Sequence, residues 1–268
     1  MFERDFPKVM GILNVTPDSF SDGGLYYSTK NAVKQGLKLI DDGADILDIG
    51  GKSTRPGASE VSEEEEINRV IPVIEEIKKT RPDISLSIDT TKFHVAKAAV
   101  DAGVGIINDV SGLDNDIRLA ELAAKKNISI IIMHMKGTPR TMQQNPLYND
   151  IIEDIFLVLK KKIEIAKEIG VKSVIADVGI GFGKTVEHNL KLLKYHDKFI
   201  ELGIPLLAGL SRKSFIGKIL DIEEPSERDI PTALIHALLL NKKFDIIRVH
   251  NLKLINMLKK IFLAFYEV

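Results

Sequence analysis

Side chains that could do chemistry recur at one kind of place in this chain, directly after short apolar runs. Together they can hold a ligand by hydrogen bonds and by charges of both signs. For any one of them alone, capping of the following helix explains its presence equally well. In chain order they are Asn14, Asp48, Asp89, Asn108 with Asp109, His134, Asp177, Ser211 with Arg212 and Lys213, and Arg248 with His250.

The apolar runs predict the elements that would bring these residues together. They are short and apolar almost throughout, which is typical of parallel strands covered on both faces. Amphipathic segments of helical period lie between them, and Ser62 followed by Glu65 predicts a capping box. The predicted strands are Lys8–Leu13, Asp45–Ile49, Ile84–Ile88, Gly105–Asn108, Ile128–Met133, Ser173–Ala176, Pro205–Ala208 and Asp245–Val249, and the clearest helices are Glu63–Thr80, Lys92–Ala102, Ile117–Lys126 and Asp150–Ile169.

Eight strand-then-helix units in 268 residues match the size of a (β/α)8 TIM barrel. We therefore predict a single barrel domain over residues 1–268, with a doubly wound open sheet as the alternative. The carboxyl ends of all strands share one mouth of such a barrel, so the polar residues named above would collect there.

Two long loops, Val15–Ser28 and Gly50–Glu60, follow strands one and two. They are either ordinary surface loops or mobile loops that order over a substrate.

Composition and motifs exclude several classes of protein. The chain has no Cys, which removes disulfides and thiolate chemistry, and its net charge of −1 gives no basic excess for nucleic acid. Its apolar runs are too short for a membrane span, and its acidic start does not resemble a signal peptide, so we expect a cytoplasmic protein. The glycines of 179–185 fit neither a phosphate-binding loop nor a dinucleotide fingerprint, and we interpret this segment as a flexible loop presenting Phe182. The six His form no pattern typical of a zinc site.

Seven segments resemble one family in order along almost the whole chain. The family is that of the dihydropteroate synthases, and the first and sixth segments are its most specific motifs. They are MGILNVTPDSFSDGG (10–24), GGKSTRPG (50–57), SIDT (87–90), MHMKGTPRTMQ (133–143), GIGFGKT (179–185), GLSRKSFIG (209–217) and RVH (248–250).

The resemblance implies a transferase of folate biosynthesis. Such an enzyme joins p-aminobenzoate to 6-hydroxymethyl-7,8-dihydropterin diphosphate, releases pyrophosphate, uses Mg²⁺ and is blocked by sulfonamides. It also implies a homodimer without nucleic-acid or membrane partners, and the segments Thr232–Leu240 and Leu252–Phe265 offer apolar faces that core packing explains equally well.

The resemblance also assigns roles to residues. Pterin binding falls to Asp89, Asn108, Asp177, Lys213, Met133 and Phe182. Binding of p-aminobenzoate falls to Phe20, Thr54, Arg55, Pro56 and Ser211. The diphosphate would meet Asn14, Arg55, Arg248 and His250, with Asn14 also on the metal, and the catalytic group would be Asp22, Lys213, Arg248 and His250.

Three positions depart from the family pattern. Lys52 stands where the family usually has Glu, Val178 where it has Pro, and Asn251 where it has Asp. These departures leave open a pterin-binding paralogue without catalytic activity. A methyltetrahydrofolate:corrinoid methyltransferase, which shares the pterin-binding barrel, is a further alternative, but it has no pyrophosphate to hold.

Overall fold

Eight parallel strands form a closed barrel in the computed structural model, which describes residues 6–16, 24–52, 60–137, 142 and 146–266, without the side chains of 24–28. Neighbours in the barrel are neighbours in the sequence, and the last strand pairs with the first. The predicted TIM barrel is confirmed, and the open sheet is wrong. The strands are β1 (Lys8–Asn14), β2 (Ile46–Gly50), β3 (Ser85–Asp89), β4 (Ile106–Asp109), β5 (Ser129–Met133), β6 (Ser173–Asp177), β7 (Leu206–Ala208) and β8 (Ile246–Val249).

Helices connect successive strands on the outside of the barrel. In the described chain, an additional helix (α8) stands between α7 and the last strand, and 3₁₀ segments cover His196–Leu202 and Pro225–Arg228. The helices are α1 (Gly24–Asp41), α2 (Glu63–Thr80), α3 (Phe93–Asp101), α4 (Arg118–Lys126), α5 (Ile151–Ile169), α6 (Val186–Lys194), α7 (Ser214–Leu220), α8 (Asp229–Leu238) and α9 (Leu252–Tyr266).

The interior of the barrel changes from apolar to polar along the strands. Six buried side chains from six different strands form one cluster, and they can meet only inside the barrel: Met10, Ile46, Ile131, Ile175, Leu207 and Ile246. Because successive side chains of a strand point to opposite faces, the residue two positions later also points inward. That residue is Asp48 after Ile46, Asp177 after Ile175 and Arg248 after Ile246. The strand period therefore places charged groups at the carboxyl-terminal mouth.

The outer core lies between the strands and the helices. The side chains of Leu47 and Ile49 on β2 belong to the same cluster as Ile74 and Ile77 on α2, and all four are completely buried. Burying a side chain of this size contributes about 1.5–3 kcal/mol. This packing fixes each strand from behind, so the inward residues at its end are held in place.

Local details differ from the sequence prediction at two helix starts. Helix α1 begins at Gly24, so it takes in the last residues of the loop predicted for 15–28. Ser62 caps α2, since its Oγ accepts the Glu65 N–H at 3.1 Å, but the Glu65 carboxylate pairs with Arg69. The predicted capping box is therefore only half formed.

The middle parts of both predicted loops, residues 17–23 and 53–59, lie outside the described residues, so the predicted mobility stays a prediction. Among the described helices, none combines the length and the hydrophobicity that a membrane span requires.

Candidate active site

Arg248 joins two carboxylates across the barrel mouth. Its Nε donates to Asp48 Oδ2 at 2.6 Å, and its other guanidinium nitrogen donates to Asp89 Oδ2 at 2.7 Å. Asn108 on β4 donates its Nδ2–H to the same oxygen of Asp48 at 3.0 Å. Four strand ends, those of β2, β3, β4 and β8, therefore meet in one hydrogen-bonded cluster.

This cluster is buried and still has unused acceptors. Within the described residues, Asp48 Oδ1, Asp89 Oδ1 and Ser87 Oγ are buried without a hydrogen-bond partner. Burial raises the pKa of Asp89 well above the ordinary carboxyl value, and Arg248 offsets only part of this. Burial lowers the pKa of Arg248, but the two carboxylates raise it more, so the guanidinium stays charged. Buried oxygens without donors favour a ligand that brings N–H groups.

Asp177 and Lys213 add a second pair of opposite charges to the mouth. Asp177 is the last residue of β6 and points into the barrel, and its Oδ1 accepts the Gly179 N–H at 2.7 Å. Burial lowers the pKa of Lys213 to about 8, although Asp177 raises it. The charges of Asp177, Arg248 and Asp89 all act on Lys213. Lys213 is therefore close enough to Asp177, Arg248 and Asp89 for their charges to interact.

An apolar wall stands beside these charges. Phe182 and Met133 are buried in one small cluster with Val110 and Met142. The ammonium of Lys213 lies 3.8 Å from the centre of the Phe182 ring, within the range of a cation–π contact. A flat ligand at this place would meet apolar surface on its faces and polar groups on its edges.

Ser211 and His250 connect the ends of β7 and β8. Ser211 Oγ accepts the backbone N–H of His250 at 3.1 Å, and the same oxygen lies 2.9 Å from Nδ1 of the His250 ring. When the hydroxyl donates to Nδ1, the ring proton of a neutral imidazole is on Nε2. The ring is thereby oriented by a residue of the turn that follows the neighbouring strand.

Asn14 ends β1 near the acidic cluster. A Cβ added at Gly50 would lie 3.8 Å from Asn14 Oδ1 and 3.5 Å from the Asp89 side chain, so these two residues flank the same glycine. Within the described chain, no three His, Asp or Glu side chains are grouped as a ready metal site. A cation here would therefore need oxygens from a ligand in addition to the Asn14 amide.

Comparison with known proteins identifies the family. A family model described as "Pterin binding enzyme" matches residues 10–250. A dihydropteroate synthase of Bacillus subtilis is 48% identical over 254 residues, which cover 94% of this chain and 86% of the relative.

The chain belongs to the dihydropteroate synthase family.

Solved structures agree with this assignment. A Xanthomonas albilineans dihydropteroate synthase with 4-aminobenzoic acid has a TM-score of 0.91 and 41% identity, covering 98% of this chain and 94% of that one. The enzyme of the same organism in complex with 7,8-dihydropteroate has a TM-score of 0.88 and 38% identity, covering 100% and 96%. The resemblance read from the motifs is confirmed, and this dihydropteroate synthase is a transferase of folate biosynthesis.

Three polar residues predicted at the mouth of the synthase have structural partners instead. Both carboxylate oxygens of Asp109 accept bonds from the turn that follows β4, at Ser111 and Leu113. Arg212 pairs with Asp229 through two hydrogen bonds. The ring of His134 lies against Lys184.

Lys184 is a buried amine that sequence reasoning missed. Its Nζ donates to the Phe182 carbonyl at 2.9 Å and lies 3.1 Å from Nδ1 of His134, and the residue is 3% exposed. Gly179 has a φ of 70°, and a Cβ there would lie 1.8 Å from the His134 carbonyl oxygen. The interpretation of this segment as a flexible loop is wrong, because it is buried and tied to the end of β5. The only feature of the sequence that pointed to Lys184 was its position directly after the glycines of this segment.

Five predicted residues of the synthase, Phe20, Asp22, Thr54, Arg55 and Pro56, lie outside the described residues. The flanks of the second loop are described. Arg69 donates to the Gly51 carbonyl at 2.7 Å, and Lys92 donates to the Val61 carbonyl at 2.5 Å and to the Glu66 carboxylate at 2.8 Å. Helix α2 and the start of α3 therefore hold both ends of this loop.

The departures from the family pattern fall beside the cluster and leave it intact. Val178 is buried in the outer core, and the bond from the Gly179 N–H to Asp177 does not depend on the side chain at 178. Asn251 donates its Nδ2–H to Asp229 at 3.0 Å. Nothing in the described structure explains the reversal of charge at Lys52.

Replacing Lys184 with methionine should change how stability depends on pH. Burial lowers the pKa of Lys184 to about 7 from 10.5. Between these values the unfolded chain binds more protons than the folded one, so the free energy of unfolding rises with pH, by at most about 1.4 kcal/mol per unit. We expect Lys184→Met to remove this rise between about pH 7 and about pH 9.5 in urea titrations. Lys172→Met, at an exposed lysine, is the control and should behave as wild type. Parallel curves for Lys184→Met and wild type would contradict the prediction.

Proposed function

We propose that the chain joins p-aminobenzoate to 6-hydroxymethyl-7,8-dihydropterin diphosphate, forming 7,8-dihydropteroate and pyrophosphate. The observation that carries this proposal is the buried cluster of Asp48, Asp89 and Arg248 beside Lys213, which combines acceptors for ring N–H groups with cations for a diphosphate. The two Xanthomonas structures support it, because one holds 4-aminobenzoic acid and the other 7,8-dihydropteroate.

The heterocycle would bind across the strand ends. Its ring N–H and amino groups would donate to Asp89, Asn108 and Asp177, and the unused Oδ1 of Asp89 favours a charge-assisted hydrogen bond. Lys213 would meet the opposite, acceptor-rich edge. Met133 and Phe182 would flank the ring, because both belong to one buried apolar cluster beside Lys213.

The diphosphate would leave toward Arg248 and His250. A guanidinium has five N–H donors, and the bonds to Asp48 and Asp89 use two of them, which leaves donors for phosphate oxygens. His250 is oriented by Ser211 and adds a second donor at the end of the same strand. Arg55, outside the described residues, would complete this subsite.

Mg²⁺ fits the donor set near Asn14. An amide oxygen is a hard ligand, and Mg²⁺ is typically held by one or two protein oxygens together with phosphate oxygens and water. Asn14 would hold the ion. When bound, Mg²⁺ would neutralise charge that develops on the leaving diphosphate.

The reaction needs little proton transfer from the protein. The bond between the pterin methylene carbon and the diphosphate oxygen breaks, and its electron pair leaves with the pyrophosphate. The methylene cation is stabilised by the electron-rich ring, and the nitrogen of the aromatic amine forms the new C–N bond and loses a proton to solvent. An aromatic amine is largely unprotonated at neutral pH, so no strong general base is required.

The amine would bind beside Ser211. This residue is buried at 7% exposure and contacts His250, so it lies next to the proposed diphosphate subsite. Phe20, Thr54, Arg55 and Pro56 would form the remainder of the amine site, with Asp22 as a further catalytic group. These roles rest on the family motifs alone, because the five residues lie outside the described chain.

A pyrophosphate-release assay tests the function directly. We expect the purified protein to sustain pyrophosphate release only when the pterin diphosphate, p-aminobenzoate and Mg²⁺ are all present, because the amine must trap the methylene cation before another turnover can begin. Each component is omitted in turn, and excess EDTA removes the metal.

Together with this assay, a pterin-binding titration and a methyl-transfer assay separate the alternatives. Binding of the pterin without pyrophosphate release would indicate a paralogue without catalytic activity. Methyl transfer to a cobalamin would indicate the methyltransferase, for which the cations at 211–213 and 248–250 have no role. Release that continues without the metal would contradict the proposal for Mg²⁺.

Arg248→Ala should lower kcat by roughly 10²-fold or more. A cation that stabilises charge only in the transition state is typically worth about 3 kcal/mol. The variant also leaves Asp48 and Asp89 without their cation, so thermal unfolding must show that the protein is folded at the assay temperature. Arg118→Ala removes a surface pair with Asp116 and should leave turnover unchanged. Near-wild-type turnover of folded Arg248→Ala would exclude Arg248 from the mechanism.

We also propose a homodimer formed through α8 and α9. Each helix exposes large apolar side chains four residues apart, and a contiguous apolar patch of this kind marks an interface. They are Ile230, Leu234 and Leu238 on α8 and Met257, Ile261 and Phe265 on α9, each at least 60% exposed. A cytoplasmic location stays a prediction of the sequence.

Leu234→Glu should convert the dimer into a monomer, because a carboxylate in the centre of an apolar interface would be buried without a partner. Sedimentation equilibrium measures the mass of wild type and variant. Leu190→Glu, at an exposed leucine on α6, is the matched control and should stay dimeric. A monomeric wild-type protein would exclude the interface.

A further inference from the structure

The turn after β7 places two proposed site residues on either side of Arg212. Ser211 contacts the His250 ring, and Lys213 lies over the Phe182 ring. Arg212 itself has a φ of 60°, in the left-handed region that residues with a side chain rarely adopt. Such a conformation persists only where surrounding contacts fix it. The contacts that fix it therefore also determine where Ser211 and Lys213 point.

Asp229, the first residue of α8, holds the Arg212 side chain. Its two carboxylate oxygens accept from Arg212 Nε at 2.7 Å and from a terminal guanidinium nitrogen at 2.9 Å. The backbone of Arg212 is also held, since its N–H donates to Thr232 Oγ1 and its carbonyl accepts from Arg228. The bidentate pair is the geometrically most specific of these contacts.

The same carboxylate reaches the end of β8. Asn251 Nδ2 donates to Asp229 Oδ2 at 3.0 Å, and Asn251 Oδ1 accepts the Leu254 N–H at the start of α9. Asn251 directly follows His250, and Arg248 lies three residues before it. Asp229 thus connects the turn that carries Ser211 and Lys213 with the strand end that carries Arg248 and His250.

We propose that Asp229 is a positioning residue of the synthase reaction, which aligns the ends of β7 and β8 through Arg212 and Asn251. The inference rests on the proposed function of those strand ends. It also explains why an amide stands at 251, where the family usually has a carboxylate. An Asp at this position would place two carboxylates about 3 Å apart, and like charges this close cannot both be ionised without cost. In this chain Asp229 on α8 supplies the carboxylate, and Asn251 supplies the N–H group that donates to it.

Three variants test this arrangement: Asp229→Asn, Asn251→Asp and the double variant that combines them. Asp229→Asn removes the charge that holds Arg212, and Asn251→Asp sets two carboxylates against each other. We expect each single variant to lower kcat/KM for pyrophosphate release by about tenfold. The double variant again has one carboxylate and one amide beside Arg212, and we expect it to recover to within about threefold of wild type.

The KM values separate positioning from simple destabilisation. Misplacement of Lys213 and Ser211 weakens substrate binding, so KM for the pterin diphosphate and for p-aminobenzoate should rise in both single variants. A smaller folded fraction would lower apparent kcat and leave KM unchanged. Asp116→Asn, which removes the charge of a comparable arginine partner on the surface, should leave both constants unchanged.

The outcomes are distinct. The inference would be overturned if folded Asp229→Asn has the kcat and KM of wild type. It would also be overturned if the effects of the two single variants add up in the double variant. If Asp229→Asn does not fold, recovery of folding and activity in the double variant supports the inference, and an inactive double variant overturns it. Absence of pyrophosphate release by the wild-type protein would instead refute the proposed function.

Discussion

One guanidinium between two buried carboxylates is the interaction on which the site depends. Asp48 and Asp89 are held almost without solvent at the ends of neighbouring strands, and their charges would be expensive to bury without Arg248. One cation for two carboxylates leaves carboxylate oxygens without hydrogen-bond partners at the mouth. A ligand that supplies several N–H groups on one edge completes this balance, which is what a pterin does. The same arginine then remains charged next to the place where a diphosphate would leave.

The geometry of a β-strand explains how apolar and charged groups share one barrel. Inward positions recur every second residue, so a change of a single inward residue converts core into site without any change of backbone. On β2, β6 and β8 an inward isoleucine is followed, at the next inward position, by Asp48, Asp177 and Arg248. The apolar layer below is packed and fixes the strands, and the charged layer above uses the same rigid backbone.

Much of this was predictable from sequence, and the exceptions have a common cause. Strand ends are local features, so Asp89, Asp177, Lys213 and Arg248 could be assigned to one mouth before any coordinates were known. Asp48 was visible at a strand end, but its bond to Arg248 joins residues far apart in the chain. Lys184 and Asp229 were missed because nothing in their local sequence shows that they pair with side chains of other elements. The segment 179–185 was predicted to be a flexible loop, although it is buried. A sequence does not distinguish glycines that allow close packing from glycines that allow motion.

The closure of the barrel by β8 on β1 has a consequence for how the protein is made. Arg248 is 200 residues beyond Asp48, so a chain growing from a ribosome carries both acidic strand ends long before their cation emerges. Contacts of such long range form slowly, since the loop entropy must be overcome first. Until the last strand docks, the nascent barrel has an open seam and two carboxylates that stay in water. Completion of the charged cluster and closure of the seam are therefore the same event, because Arg248 stands on the closing strand.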